Sequence, residues 1–321
     1  MHLTPSSDLP LLGAYAMAPA DGAARAQFWA AVADLLIGGL ELPLPAPGAP
    51  AEPALLAARD DLDLLVTCIP TVMGRLADDP AYGLASGDED GRRRALDDVR
   101  RAADLAGAQA AAGGAPVTAI QVHSAPGPRG GSRDALRRSL EEIVAWDLAG
   151  ARLLVEHCDA LVTGQVPAKG FLTLDEELAV LADLAGADGS GPALAVNWGR
   201  SAIEGRSLHT PLEHLRAARD AGLLGALVLS GATDATTAWG APWADAHIPP
   251  RGDAPALAAS ADSLLGPDEI AAALALTDPG CLVAVKIAVR PADADVATRI
   301  AVARAALAQV TAAAPASGTS R

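Results

Sequence analysis

The sequence has little positive charge. Its 24 lysine and arginine residues are outnumbered by 39 aspartate and glutamate residues, which gives a net charge of −15 at pH 7. Nucleic acids and anionic membranes both bind basic surfaces. The composition therefore argues against a nucleic-acid or membrane partner, and the excess of acidic residues favours solubility.

Aromatic residues, paired cysteines and long apolar runs are also scarce. Hydrophobic residues make up 51% of the chain and aromatic residues only 3%, so alanine, leucine and valine must fill the interior, as they do where helices pack closely on parallel strands. The three cysteines are an odd number beside apolar runs, which favours reduced thiols over a disulfide framework. Neither a signal-type leader nor a run of about 18 apolar residues occurs. These absences predict a cytoplasmic protein.

Short apolar β-type runs alternate with segments of helical period. The runs predict strands at residues 11–19, 39–44, 62–70, 117–126, 151–160, 193–201, 225–232 and 281–291. Helices are predicted at 23–37, 92–111, 132–150, 210–222 and about 293–313. Eight β-then-α units predict an α/β fold with one closed (β/α)8 TIM barrel. We expect a single domain over residues 1–315 and a flexible tail at 316–321.

Two connecting segments are long for the loops of such a barrel. They span residues 78–92 and 232–266, and long loops are usually lids, binding segments or disordered. The second loop contains Trp239, Trp243, Asp245 and His247. We expect it to form a lid after the seventh strand, whose indole rings exclude water and stack on a sugar.

Alternation along the strands indicates which side chains face the barrel interior. In the last strand the small residues Ala284 and Ala288 flank Lys286, whereas the positions between them carry bulky valine and isoleucine that suit packing on helices. Lys286 is therefore predicted to point inward. The same reasoning turns five further polar side chains into one cavity at the C-terminal rim: Glu41, His123, Glu156, Asn197 and Ser230.

Structural roles are the alternative for several histidine and charged residues. A buried unpaired ammonium is costly and such groups cluster at functional sites, but Lys286 is also compatible with a structural ion pair. Glu41 is equally compatible with a helix cap or a pair with an arginine. His157 is predicted to face away from the cavity and to be structural, whereas His209 and His214 are predicted to lie on the surface.

Three motifs carry a resemblance to a known superfamily. The segments GGLELPL (38–44), IQVHSAP (120–126) and LLVEHCD (153–159), with the eight-strand rhythm, resemble the xylose isomerase-like TIM barrels. This is the sugar phosphate isomerase/epimerase group, and the chain is most similar to an uncharacterised branch of it. Typical members bind a divalent metal through a glutamate after strand five, an aspartate or histidine after strand six, a histidine after strand seven and a glutamate after strand eight.

The metal-binding positions of the superfamily are only partly matched. They are occupied here by Glu156, Asn197, Ser230 and Lys286. An amide and a hydroxyl are weak ligands, and an ammonium repels a cation. No metal site is therefore predicted, although a divalent metal held unusually by Glu156 with His123, or with the lid's Asp245 and His247, stays open.

The resemblance implies an isomerase or epimerase of a carbohydrate that works by proton transfer next to a carbonyl. Glu156 is the expected acid/base, Lys286 the expected electrostatic stabiliser in place of a metal, and His123 completes the catalytic set by orienting hydroxyls. The remaining candidates are assigned to substrate binding: Glu41, Asn197, Arg200, Ser230, Trp239, Trp243, His247 and Arg290.

Other functions and substrates are left open. A lyase or aldolase that forms a Schiff base on Lys286 is one alternative, and a non-catalytic sugar-binding barrel is another. The spacing of Arg200 and Arg206 suits an anionic head group on a small-molecule carbohydrate, but pairing of these arginines with acidic side chains is equally consistent. A homo-oligomer is compatible with the sequence.

Overall fold

The computed structural model describes residues 9–49, 54–55, 59–186 and 191–314. Within them lie eight strands: β1 (Leu11–Gly13), β2 (Gly39–Pro43), β3 (Asp63–Thr67), β4 (Val117–Val122), β5 (Arg152–His157), β6 (Ala193–Asn197), β7 (Leu224–Leu229) and β8 (Leu282–Lys286). All neighbours pair in parallel and in sequence order, and β8 closes the sheet on β1. The predicted (β/α)8 barrel is confirmed.

Helices lie between most of the consecutive strands and surround the barrel. They are α1 (Gly22–Ala33), α2 (Ile69–Asp78), α3 (Glu89–Ala112), α4 (Arg133–Val144), α5 (Leu174–Leu184), α6 (Trp198–Gly205), α7 (Thr210–Asp220), α8 (Pro267–Leu274) and α9 (Val296–Ala313), with 3-10 turns at Ala14–Met17 and Pro255–Ser260. Side chains of Asp21, Asp88, Ser132 and Asp295 accept backbone N–H groups in the first turns that they cap. Among the helices described, none has the length and apolar character needed to cross a membrane.

The strands are shorter than the sequence predicted. Helix α2 begins at Ile69 and α6 at Trp198, so the predicted strand ends at residues 70 and 201 are wrong. Periodicity cannot separate the end of a buried strand from the first turn of a buried helix, because both are continuously apolar. Helix α3 likewise starts inside the predicted loop 78–92. The predicted tail at 316–321 lies outside the described residues.

Two cores explain the orientation of the strand residues. A small core inside the barrel contains Leu154, Ala195 and Ala284, each two residues before a polar group of the predicted site. The residues that alternate with them, Val155, Val196 and Val285, pack in the larger core between sheet and helices. Small inward residues leave room at the C-terminal ends of the strands for long polar side chains.

Candidate active site

An ion pair between Glu41 and Lys286 lies inside the barrel. Lys286 Nζ donates to Glu41 Oε1 at 2.7 Å, and both side chains are fully buried. Strand β1 separates the strands that carry them, and Gly13 of β1 provides the space. A side-chain carbon at Gly13 would lie 2.8 Å from Glu41 Oε2 and 3.1 Å from Lys286 Cγ. The pair forms across β1 because no side chain stands between its members.

The two members of this pair have shifted protonation equilibria. Burial raises the pKa of Glu41, against the opposing charge of Lys286. Burial lowers the pKa of the Lys286 ammonium, but the charges of Glu41 and Glu156 oppose burial and the pKa is raised. Glu41 Oε2 has no hydrogen-bond partner among the described residues. Glu41 is therefore a carboxyl group with a raised pKa and a free oxygen, as an acid/base requires.

Tyr15 belongs to this site, although the sequence did not predict it. Its ring centroid lies 5.2 Å from Lys286 Nζ, in cation–π range. Burial raises the pKa of Tyr15, so that the phenol stays protonated. The residue lies in the 3-10 turn after β1, a segment that was predicted as strand. Its one sequence signal is an aromatic residue, rare in this chain, directly after the first strand.

Glu156 is the centre of a second buried network. Its Oε2 accepts from Gln121 Nε2 at 2.8 Å, lies 2.7 Å from Arg200 Nη1 in an ion pair, and lies 2.8 Å from His123 Nε2. Its Oε1 accepts from Asn197 Nδ2 at 2.9 Å. Burial lowers the pKa of His123 to about 4, so a neutral imidazole donates from Nε2 to the carboxylate. Both oxygens of Glu156 are thus engaged.

The protonation state of Glu156 follows from these contacts. Burial raises its pKa, but Arg200, Lys286 and His123 outweigh burial and hold the pKa of Glu156 well below its usual range. A carboxylate that is saturated with donors is a weak base. The geometry therefore favours Glu41 over Glu156 as the group that moves a proton, which differs from the expected roles.

A layer of ion pairs covers the two networks. Asp245 Oδ2 accepts from Lys169 Nζ at 2.9 Å and from Arg200 Nε at 3.3 Å. Ser230 Oγ lies 3.0 Å from His247 Nδ1 beside it. Lys169 is the only other lysine of the chain and lies in the loop after β5, where strand alternation gave no signal. These contacts close the barrel interior to solvent.

The tryptophans of the loop after β7 are held by contacts within the protein. Trp239 is 5% exposed, packs on Ile248 and Ala288, and donates from Nε1 to Ala259 O at 2.7 Å. The guanidinium of Arg290 lies 5.1 Å from its ring centroid. These contacts anchor the loop and bury Trp239, whereas Arg290 stays partly exposed. The stacking role of Trp239 stays a prediction.

Trp243 lies beside Arg206, the residue that directly follows α6. The guanidinium of Arg206 lies 5.6 Å from the Trp243 ring centroid and also donates to Val166 O. Trp243 has a positive φ of 63°, and its backbone N–H donates to Thr233 O. Arg206 thus connects Trp243 in the loop after β7 with Val166 in the loop after β5.

We expect Asp245→Asn to loosen the loop over residues 232–266. The substitution removes the charge that holds Lys169 and Arg200, and a loss of about 1 kcal/mol would raise the population of the open loop about fivefold. Limited proteolysis within the loop should become faster by about that factor. Asp253→Asn, at an exposed position of the same loop, is the matched control; equal cleavage of both variants would contradict a gating role.

The donor set inside the barrel does not fit a divalent cation. His123, Glu156 and Cys158 have ligand atoms within 4.8 Å of one another. However, Arg200 Nη1 lies 2.7 Å from Glu156 Oε2 and 3.2 Å from Cys158 Sγ, so a buried cation already occupies this position. Burial also raises the pKa of the Cys158 thiol well above its usual value, whereas metals bind the thiolate.

The closed eight-stranded parallel barrel has the TIM-barrel fold. It is similar to a xylose isomerase-like TIM barrel protein from Mycobacterium smegmatis in complex with magnesium (15% identity, TM-score 0.55, 98% of this chain and 100% of that chain). It is also similar to D-psicose 3-epimerase with D-tagatose from Clostridium cellulolyticum (18%, 0.54, 95% and 98%). A third is a xylose isomerase domain containing protein from Salmonella typhimurium (10%, 0.58, 96% and 99%).

The chain belongs to the family described as domain of unknown function (DUF4862), whose model matches residues 11–302. It is 35% identical over 250 residues to a Salmonella typhimurium protein described as uncharacterized protein STM3670. That match covers 74% of this chain and 77% of the relative. The predicted resemblance to xylose isomerase-like barrels is confirmed for the fold.

Proposed function

We propose that this protein is a sugar isomerase that moves a carbonyl group between neighbouring carbons of an uncharged sugar. The observation that carries the proposal is the buried Glu41–Lys286 pair, in which Glu41 Oε2 has no partner among the described residues. A carboxyl group with a raised pKa next to a fixed cation suits proton abstraction beside a carbonyl. The similarity to D-psicose 3-epimerase supports a sugar as substrate.

The proposed reaction uses one proton-transfer group. Glu41 Oε2 takes a proton from the carbon next to the carbonyl, and the electron pair moves onto the carbonyl oxygen. The Lys286 ammonium donates a hydrogen bond to that oxygen and stabilises the enediolate. The hydroxyl proton on the deprotonated carbon then passes to the adjacent former carbonyl oxygen, and Glu41 returns the abstracted proton to the former carbonyl carbon, which leaves the carbonyl on the carbon that was deprotonated. Epimerisation would need a second group on the opposite face, and both oxygens of Glu156 are engaged, so the site favours aldose–ketose isomerisation.

The charge state of Lys286 argues for this role over a Schiff base. A lysine must lose its proton before it attacks a carbonyl, and the charge of Glu41 raises the pKa of Lys286 even against burial. An ammonium of this kind stabilises an oxyanion without leaving its partner.

The cations near the site support an uncharged substrate. Lys286 pairs with Glu41, and both Arg200 and Lys169 pair with Asp245. A phosphate or carboxylate would have to break one of these pairs, which is costly for buried charges. The hydroxyl groups of a sugar suit the site better, because they can donate to a side-chain amide oxygen. Gln121 Oε1 has no partner within the described residues.

The test is proton exchange in D2O. We expect NMR to detect deuterium at the carbon next to the carbonyl, with aldose–ketose interchange, for one member of a panel of unphosphorylated sugars. Glu41→Gln should lower that rate by about a hundredfold to ten thousandfold, and Glu213→Gln, exposed on α7, is the control. Ligand-induced stabilisation without exchange would favour a sugar-binding barrel, and exchange with phosphorylated sugars alone would contradict an uncharged substrate.

A further inference from the structure

A second buried cluster lies outside the barrel interior, between the sheet and its helices. His157 is on the outward face of β5, Glu177 on α5, Glu204 on α6 and His214 on α7. His157 and Glu177 are fully buried. His214 is 9% exposed, so the prediction that it lies on the surface is wrong; the cluster gives it polar partners inside.

Three of these side chains converge on one point. His157 Nε2 lies 3.0 Å from Glu204 Oε2, and His214 Nε2 lies 3.7 Å from Glu204 Oε1. Their ligand atoms all lie within 4.8 Å of one another. Metal–ligand bonds of about 2.0–2.2 Å bring ligand atoms to separations of this order.

The other nitrogen of each imidazole is held by a partner. His157 Nδ1 lies 2.7 Å from Glu177 Oε2, and His214 Nδ1 lies 3.0 Å from Ser201 Oγ. Metal-binding histidines almost always have their second nitrogen fixed in this way, which orients the ring and selects the tautomer. Both rings therefore direct Nε2 to the same carboxylate.

The charges of the cluster are unbalanced without a further cation. Glu177 and Glu204 both contact His157, and neither carboxylate forms an ion pair with a lysine or arginine of the described residues. Both carboxylates are thus directed at the same imidazole, that of His157. A divalent cation with two neutral imidazoles would balance both.

We propose that His157, Glu204 and His214 bind a divalent transition-metal ion of the zinc type, with Glu177 and Ser201 orienting the two imidazoles. Two imidazoles and a carboxylate are a ligand set that zinc accepts, and water completes such sites. The side chains of Glu204 and His214 are 14% and 11% exposed, which gives the ion a route from solvent. The bound ion would tie β5 to α6 and α7.

The test is a Zn²⁺ titration of the full chain after dialysis against a chelator. We expect one Zn²⁺ per chain by elemental analysis, and a melting temperature raised by roughly 5 °C when Zn²⁺ exceeds its Kd about a hundredfold. Co²⁺ should give a spectrum without a thiolate charge-transfer band, which distinguishes this site from one that includes Cys158.

Two variants and a control locate the ion. His214→Ala and Glu204→Gln should each remove the Zn²⁺-dependent shift, and His209→Ala, at an exposed position at the start of α7, should retain it. A wild-type chain that shows no Zn²⁺-dependent stabilisation would overturn the proposal, whether or not the variants fold. A shift that survives in His214→Ala and Glu204→Gln would overturn it as well, because the ion would then bind elsewhere.

Discussion

Lys286→Met is expected to lower the free energy of unfolding by about 3–5 kcal/mol, because it leaves the carboxylate of Glu41 buried without a partner. Both side chains are fully buried and 2.7 Å apart, so solvent cannot compensate the lost charge. Urea unfolding measures the change. Lys169→Met is the matched control, since Lys169 is partly exposed and its partner Asp245 keeps Arg200; its cost should be about 1 kcal/mol or less.

A double variant separates the stabilising role of Lys286 from its chemical role. Glu41→Gln with Lys286→Met removes both charges and retains similar shapes, so stability should return to within about 1 kcal/mol of wild type. Isomerase activity should stay at least about a hundredfold lower, since both the proton acceptor and the electrostatic donor are gone. If activity recovered together with stability, the pair would have only a structural role, and the proposed reaction would be contradicted.

The orientation of the strand residues could be predicted from the sequence because it follows from packing. Small residues such as Ala284 fill the narrow barrel, whereas bulky ones such as Val285 fill the space under the helices. That alternation is local, so it can be read without knowledge of the fold. The alternation predicted that Glu156 and Lys286 point inward, and both side chains are buried inside the barrel.

Pairing between the inward residues could not be predicted, because it depends on contacts that are distant in sequence. Lys286 meets Glu41 only when the last strand closes on the first and Gly13 leaves space between them. The residues contributed by loops, Lys169 and Tyr15, carry no periodic signal at all. Partner identity then changes the chemistry. Arg200, Lys286 and His123 together hold the pKa of Glu156 low, whereas the charge of Lys286 does not outweigh burial at Glu41, whose pKa stays raised.

The burial of His214 was missed for a similar reason. The residue lies in a helix that begins with polar and charged residues, a pattern typical of a solvated face. Its partners Glu204 and His157 come from another helix and a strand, and they make burial of the imidazole favourable. A polar residue is identified as buried only when its partners are known.

Glu156→Gln is expected to be as destabilising as the loss of Lys286, with an unfolding free energy lower by about 3–5 kcal/mol. The carboxylate accepts from Gln121 and Asn197 and pairs with Arg200, and an amide in its place would direct N–H groups at one of these groups. The buried guanidinium would also lose one of its two carboxylate partners. Urea unfolding measures the effect, with the exposed Glu213→Gln as control.

The same substitution decides which role Glu156 has. If Glu156 positions its neighbours, stability and activity should fall together, and Glu156→Asp should restore part of each because it keeps the charge that holds Arg200. If Glu156 were instead the acid/base of the reaction, Glu156→Gln would keep nearly full stability while activity fell by about a hundredfold or more. A stable but inactive Glu156→Gln variant would therefore return the proton-transfer role to Glu156 and leave Glu41 as a substrate contact.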